Sequence, residues 1–296
     1  MREILLAPNE TPKKLGTYLK AQFPIGYVRK LFRKNGVRIN GQRANEGDRI
    51  RAGDRIQLYV PFEAIPQAAA PTRSAAKIAI VFEDATLLVI DKPAGLAVHE
   101  GKTVSKRESV LGILESRYRD SGIKPVLVHR LDKDTSGLLM IAKDQQTADE
   151  VEKSFASGCV EKQYLCLVAG RLPSNDGKID FPLPGREGKL VRALTRYRVV
   201  KRFAEATLVR VTINTGRLHQ IRLHFAGLGY PVVMDDQHGD FAFNKRFRKE
   251  YGLKRQFLHA EKLTVRCGGK QRQWTAPPAN DLRKCLQLLD HKRSTD

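Results

Sequence analysis

Two carboxylates stand two residues apart in His129-Arg-Leu-Asp-Lys-Asp-Thr-Ser-Gly-Leu-Leu-Met-Ile-Ala-Lys143, just ahead of an apolar run. Thr135-Ser136-Gly137 reads as a turn and Leu138-Leu139-Met140-Ile141 as a buried strand, which sets Asp132 and Asp134 at the mouth of that strand. A carboxylate held rigidly beside the core suits a nucleophile or a general base. It equally suits a polar turn. Further along, Tyr164 lies in an apolar run with strand character, and Arg222 follows Arg217 and His219 in Thr215-Gly-Arg-Leu-His-Gln-Ile-Arg-Leu-His224. A buried carboxylate protonates unless an opposite charge keeps it ionised, so a basic partner such as Arg222 is what a reactive acid requires. An ordinary surface ion pair and an ordinary strand aromatic are the rival readings of Arg222 and Tyr164.

The balance of charge points to a class of partner. The chain has 53 Lys and Arg against 32 Asp and Glu, a formal charge of +21 over 296 residues, which favours a polyanion. Nucleic acid is the leading candidate and an anionic membrane surface the second. No apolar run approaches the roughly 20 residues of a membrane-spanning helix, which weakens the latter. The apolar stretch at the N-terminus is too short for a secretory signal, so the cytoplasm is the expected compartment. Cys159, Cys166, Cys267 and Cys285 form no C-x-x-C pair and suggest neither a zinc site nor a disulfide framework. His129, His219 and His224 have no acidic or thiol ligand at useful spacing, so structural roles or RNA contacts fit them better than a metal. Asp91-Lys92 and Asp132-Lys133-Asp134-Thr135 faintly suggest an aspartyl-phosphate enzyme, but no nucleotide-binding loop accompanies them.

The elements that must position these groups fall into two parts. In the first, Thr11-Pro12 opens a helix whose apolar face carries Leu15, Tyr18 and Leu19, with Pro12 expected in the first turn. A second helix is expected from about Ile25-Gly26 to Lys34, closed by Asn35-Gly36. Arg29 and Arg33 are four apart on it, as are Lys30 and Lys34, so four cations share one broad face, with Val28, Leu31 and Phe32 opposite. No acid interleaves between residues 13 and 45, which favours phosphate contact over a merely solvated face. Strands at Val37–Gly41 and Asp54–Val60 complete this part. The Pro- and Ala-rich passage that follows builds no packed element and reads as a linker.

In the second part, two strands within residues 78–90 flank a tight reversal, and helices are expected over 109–116, 146–157 and 282–289. Residues 161–168 and the alternating stretch from 178 to 213 read as strands. The segment from Thr215 opens in a helix-compatible way, with Arg217, Gln220, Ile221 and His224 around one surface. Lys245-Arg-Phe-Arg-Lys249 with Lys254-Arg255 reads as a basic surface insertion facing RNA or as a plain solvated loop. No regular βαβ rhythm appears, so the class is α+β with a largely antiparallel sheet.

His129-Arg-Leu-Asp-Lys-Asp-Thr-Ser-Gly137 resembles the signature of the RluA family of RNA pseudouridine synthases. Four more segments agree in order: Leu88-Val-Ile-Asp-Lys-Pro-Ala-Gly-Leu-Ala-Val-His99, Glu161-Lys-Gln-Tyr-Leu-Cys-Leu-Val168, Gly216-Arg-Leu-His-Gln-Ile-Arg-Leu-His224 and Gln256-Phe-Leu-His-Ala-Glu-Lys-Leu263. Residues 11–60 resemble the S4 RNA-binding domain. Asp235-Asp-Gln-His-Gly-Asp240 and the basic stretch after it look like the RluC-type members acting on large-subunit ribosomal RNA. Leu218 departs from the family pattern, where Thr is common, and is expected to adjust local packing. Gln237-His238 departs too, where an Arg-Tyr pair is usual.

The resemblance implies an S4-like domain over residues 1–62, a linker over 63–77 and a pseudouridine synthase fold over 78–296. It implies an enzyme that isomerises uridine in RNA, most closely in 23S ribosomal RNA, with no cofactor and no metal, acting as a monomer away from membranes. Asp132 corresponds to the catalytic aspartate, Arg222 to its basic partner and Tyr164 to the active-site tyrosine, able to stack on uracil and to serve as a base. Arg130 corresponds to the side chain that fills the gap left by a flipped nucleotide, with His129 beside it, and Leu223 to a residue lining the base pocket. Arg29, Lys30, Arg33 and Lys34 are the expected contacts to RNA backbone in the front domain.

Overall fold

The alternating runs after residue 78 assemble into one mixed sheet, seen in a computed structural model that describes residues 2–6, 11–23, 28, 31–59, 78–101, 104–185, 189–267 and 270–293. Its main path runs Asp176–Ile179, Thr195–Arg202, Ala206–Ile213, Val160–Ala169, Leu258–Cys267, Ser136–Ala142, Leu87–Lys92 and Ala79–Glu83. Neighbours along it are antiparallel except where Ser136–Ala142 meets Leu258–Cys267, pairing Ser136 with His259 and Gly137 with Ala260 in parallel. The α+β class with a largely antiparallel sheet is therefore what the chain adopts.

Period-two alternation divides the central strands between two cores. Tyr164, Cys166 and Val168 face one side, packing with Val209, Val211, Ile221 and Phe225. Leu165 and Leu167 face the other, against Phe243, Phe247 and Tyr251 of the helix Phe241–Tyr251 and Leu282 and Leu289 of the helix Asn280–Arg293. The basic run expected as a surface insertion or loop is thus a helix. Phe243, Phe247 and Tyr251 recur every four residues and make one buried stripe, while Lys245, Arg246, Arg248 and Lys249 take the exposed faces. Truncating Phe247, which is 1% exposed, to Ala costs about 3–5 kcal/mol.

Three local expectations are corrected. The strand begins at Ser136, so the turn lies one step earlier, with Thr135 N–H donating to the Asp132 carbonyl at 3.1 Å. Gly137 is inside the strand with φ +108°, and a Cβ there would lie 2.3 Å from the Ala260 carbonyl oxygen. The glycine permits the close parallel approach rather than a turn. The helix near Arg222 starts only at Gln220, after His219 in the left-handed region at φ 51°, so Arg217 lies in the preceding loop and not on the helix. Gln220 closes that loop, its Oε1 accepting from the Thr215 hydroxyl at 2.8 Å and the Arg217 N–H at 3.1 Å.

The chain separates into two units, Met1–Ala75 and Ala76–Asp296. In the first, the helix Leu15–Gln22 buries Leu15, Tyr18 and Leu19 against Val28, Leu31, Ile50, Ile56 and Leu58. Pro12 precedes this helix instead of sitting in its first turn, because Lys13–Lys14 pairs with Arg49–Ile50 as strand. Residues 31–33 are helical, and Asn35, at φ 49°, closes them as the Gly36 N–H reaches the Leu31 carbonyl at 2.8 Å. Arg33 and Lys34 are exposed. Arg29, Lys30, the expected helix start at Ile25-Gly26 and the expected linker over 63–77 lie outside the described residues.

Candidate active site

Asp132 is anchored by its own backbone neighbourhood. The buried Lys92 ammonium donates to the carbonyls of Pro93 at 2.9 Å, Leu96 at 2.9 Å and Lys133 at 3.0 Å, tying the 93–96 loop to the residue after Asp132. The Gly95 N–H adds a second bond to the Lys133 carbonyl at 2.9 Å. From the other side Gln256 Nε2 donates to Thr135 Oγ1 at 2.7 Å, and Arg255 reaches the Asp134 carbonyl at 3.1 Å and Ser136 Oγ at 3.2 Å. Asp134 is a turn residue held by its main chain. Burial pulls the Lys92 ammonium down to about 7, against the opposing charges of Asp134 and Asp132.

With its backbone held, the Asp132 carboxylate meets Arg222 from the Gln220–Gly227 helix, Nη1 to Oδ2 at 3.0 Å. Arg222 is itself clamped by Asp235, with Nε to Oδ2 at 2.6 Å and Nη2 to Oδ1 at 2.7 Å. Burial would raise the Asp235 carboxyl, but Arg222 and the backbone N–H groups of His238 and Gln237 outweigh it and hold the group below the usual carboxylate range. The Arg222 guanidinium is pushed up despite burial, by bonds and charge from Asp235 and by the Asp132 charge. Asn244 fixes the Asp235 segment, donating to its carbonyl at 2.9 Å and accepting from the Met234 N–H at 2.7 Å. The result is a carboxylate with a fixed cation on one side: the Asp132 side chain is 21% exposed, against 4% for Arg222 and 0% for Asp235.

That exposed edge opens into a cavity of about 790 Å³ that includes Arg130, Asp132, Tyr164, Arg222, Ile221 and Leu258 in its lining. Tyr164 is buried on the strand Val160–Ala169, beside a register shift against Leu258–Cys267. Burial and the Asp132 charge push its phenol up, which keeps it neutral at physiological pH. A neutral phenol is a stacking surface and hydrogen-bond donor; it is poorly matched to act as a base. Arg130 is exposed at the cavity wall. Asp132, Tyr164, Arg222 and Arg130 are brought together as expected.

Two other expected contacts are not presented to the cavity in the expected way. Leu223 is not among the lining residues; Ile221 and Leu258 supply apolar surface instead. His129 lines the cavity, yet its Nε2 accepts from the Met140 N–H at 2.9 Å and its Nδ1 is buried without a partner. Neither nitrogen is available to RNA, and burial beside Lys162 pulls the ring down to about 3. Leu218 is not packed away but 54% exposed on the cavity wall. His238 meets His219, Nε2 to Nδ1 at 3.0 Å, and His219 Nε2 lies 3.9 Å from Asp132 Oδ1. His224 is structural, held between Thr195 Oγ1 at 2.9 Å and the Phe181 carbonyl at 3.1 Å.

The sequence between residues 86 and 227 matches the RNA pseudouridylate synthase family model. The chain is 33% identical over 312 residues to the ribosomal large subunit pseudouridine synthase C of Salmonella typhimurium, spanning 97% of this chain and 96% of that protein. It is 32% identical over 316 residues to the protein of the same name from Escherichia coli strain K12, spanning 98% and 97%. The chain belongs to the RNA pseudouridine synthase family. Among solved structures, human RNA pseudouridylate synthase domain containing 4 shares the fold, with a TM-score of 0.62 and 23% identity over 76% of this chain and 97% of that one. Membership of this family makes the protein an enzyme acting on RNA. Asp235, Lys92, Arg255 and Gln256 support the site, a role the sequence reading gave to none of them although each stood in a quoted segment. Asp235 stood in a segment used only to place a subgroup, and nothing local marks it as the clamp on Arg222.

Proposed function

We propose that this protein converts uridine to pseudouridine in large-subunit ribosomal RNA, with Asp132 as the catalytic carboxylate. The observation that carries the reading is the ion pair of Asp132 with Arg222 at the cavity wall. The pairing fixes one oxygen of the carboxylate and leaves the other for a base entering the cavity. The reaction breaks the uracil N1–C1′ bond, turns the base and joins C5 to C1′, after which C5 gives up its proton and N1 gains one. Atoms and electrons balance with no added group, so the protein works without a cofactor. Tyr164 stacks against the base while it is detached, and Arg130 fills the gap left when the nucleotide is flipped, a step costing a few kcal/mol.

The choice of large-subunit RNA rests on the names of the two bacterial relatives and the extent of the match. The front unit, residues 1–62, acts as an S4-like RNA-binding domain whose exposed Arg33 and Lys34 join Arg29 and Lys30 on backbone phosphates, with residues 63–77 as the linker to the catalytic domain. The enzyme acts as a monomer in the cytoplasm, where its substrate is made. The test is a pseudouridine map across ribosomal RNA from cells with and without this protein. Specific large-subunit sites should disappear in its absence; an unchanged large-subunit map with sites lost elsewhere would overturn the substrate.

A further inference from the structure

Lys162 stands two residues before Tyr164 on the same strand, so period two puts both side chains on one face, and both line the cavity. Lys162 is only 6% exposed. Its ammonium lies 4.8 Å from the centroid of the Phe155 ring, and among the described residues it has neither an ion-pair nor a hydrogen-bond partner. Lys92, which is fully buried, is surrounded by three carbonyls. The Asp132 charge acts on Lys92, Tyr164, His219 and Arg222, whereas Lys162 responds to burial alone, which brings it down to about 8. The Gly216 loop passes close to the ammonium, where a Cβ would come 3.3 Å from Nζ, so a glycine leaves that side of it uncovered. Glu152 lines the same cavity without pairing with Lys162, and with Arg130, Arg217 and Arg222 also in the lining, cations outnumber acids around the cavity.

A buried cation with no anion beside it, opening onto a substrate cavity, is an incomplete ion pair. Uracil offers it only neutral carbonyls; an RNA strand entering the cavity carries phosphodiesters, each with a full negative charge. We propose that Lys162 is a phosphate-binding subsite that takes a phosphodiester oxygen of the RNA strand next to the nucleotide held at Asp132. The proposal rests on the assignment of the cavity to an RNA nucleotide. It separates two roles along one strand: Tyr164 faces the base, and Lys162 holds the backbone that delivers it.

The test compares wild type, Lys162→Met and Lys162→Arg on a fragment of large-subunit ribosomal RNA containing a mapped site. Kd is measured across salt concentrations, and kcat and KM by tritium release. Lys162→Met should raise Kd and KM about tenfold, the discrimination of one charge-assisted contact. Its salt slope should become shallower by about 0.7, the loss of one phosphate contact on a single strand. kcat should change less than about threefold. A methylphosphonate placed in turn at each phosphate around the target uridine should weaken wild type at one position and leave Lys162→Met unaffected there. A fall in kcat with KM and salt slope unchanged, or no such position, would overturn the proposal.

Lys162→Arg keeps the charge and carries the test if the Met variant does not fold. Wild-type affinity should fall as pH rises through about 8, while Lys162→Arg stays level, since Arg does not titrate there. His129, pulled down to about 3 by burial and by Lys162, stays neutral throughout that window. Identical pH profiles would refute the proposal. Because Kd is read without turnover, a wild type that binds RNA but releases no tritium would sink the assigned reaction and leave the subsite test standing.

Discussion

Asp235 holds Arg222 through two charge-assisted bonds of 2.6 and 2.7 Å, leaving one nitrogen of the guanidinium to meet Asp132 at 3.0 Å. The cation beside the Asp132 carboxylate is thus positioned by a second, fully buried acid. Fork-on-fork geometry fixes the plane of the guanidinium as well as its charge. Arg222 consequently reaches Asp132 from a fixed direction.

Replacing Asp235 by Asn should therefore damage both stability and turnover. Removing one member of a buried pair leaves the other charge uncompensated, at a cost on the order of 3–5 kcal/mol. Thermal melts should show that loss, and kcat, measured well below the melting temperature, should fall at least about tenfold because Arg222 is no longer held. Wild-type kcat in a destabilised variant would show that Asp235 supports the fold and not the site.

The same pair predicts how stability responds to acid. The folded Asp235 carboxyl lies below its ordinary value, so the unfolded chain binds its proton first as pH falls. Its contribution is fully present above the unfolded value near 3.9 and is lost as pH drops through the lowered folded value. The melting-temperature difference between wild type and Asp235→Asn should be constant above about pH 5 and shrink below pH 4. A difference that grows on acidification would contradict the sign. Asp84 and Asp281 are also lowered, and using the difference between the two proteins cancels their contributions.

Tyr164 separates stacking from proton transfer. A phenol pushed up by burial and by Asp132 is neutral before substrate arrives, so the ring is its principal asset. Tyr164→Phe keeps the ring and should lose much less activity than Tyr164→Leu, with the two variants differing by at least about tenfold in kcat. Stacking on a base is worth roughly 1–3 kcal/mol, which sets that scale. Equal and complete loss in both would assign the essential role to the hydroxyl.

The sheet was legible where alternation was clean. Val160–Ala169 and Ala206–Ile213 read correctly because their two faces meet two separate cores. Gly137 was misread as a turn because the close approach of Ala260, 123 positions later in the chain, is invisible locally. The helix Phe241–Tyr251 was legible in the four-residue spacing of Phe243, Phe247 and Tyr251, which the run of charges between them masks. Asp132, Tyr164 and Arg222 became candidates through ordered motifs, since no spacing rule links residues 132 and 222, and the fold brings them to one cavity. His129 and Leu223 were carried along with those motifs, and packing gave the His129 ring to the Met140 backbone and left Leu223 off the cavity wall. Asp235 and Lys92 act through buried contacts with distant backbone or side chains, which composition does not reveal.

The central claim is that Asp132 performs the chemistry and that Arg222 fixes its carboxylate at the cavity wall. The most direct measurement is tritium release from 5-tritiated uridine in large-subunit ribosomal RNA, run beside RNA binding for wild type and Asp132→Asn. Wild type should release tritium, and Asp132→Asn should release none while its Kd stays within about threefold. Turnover by Asp132→Asn at a rate near wild type would contradict the account, as would a loss of RNA affinity large enough to explain its inactivity.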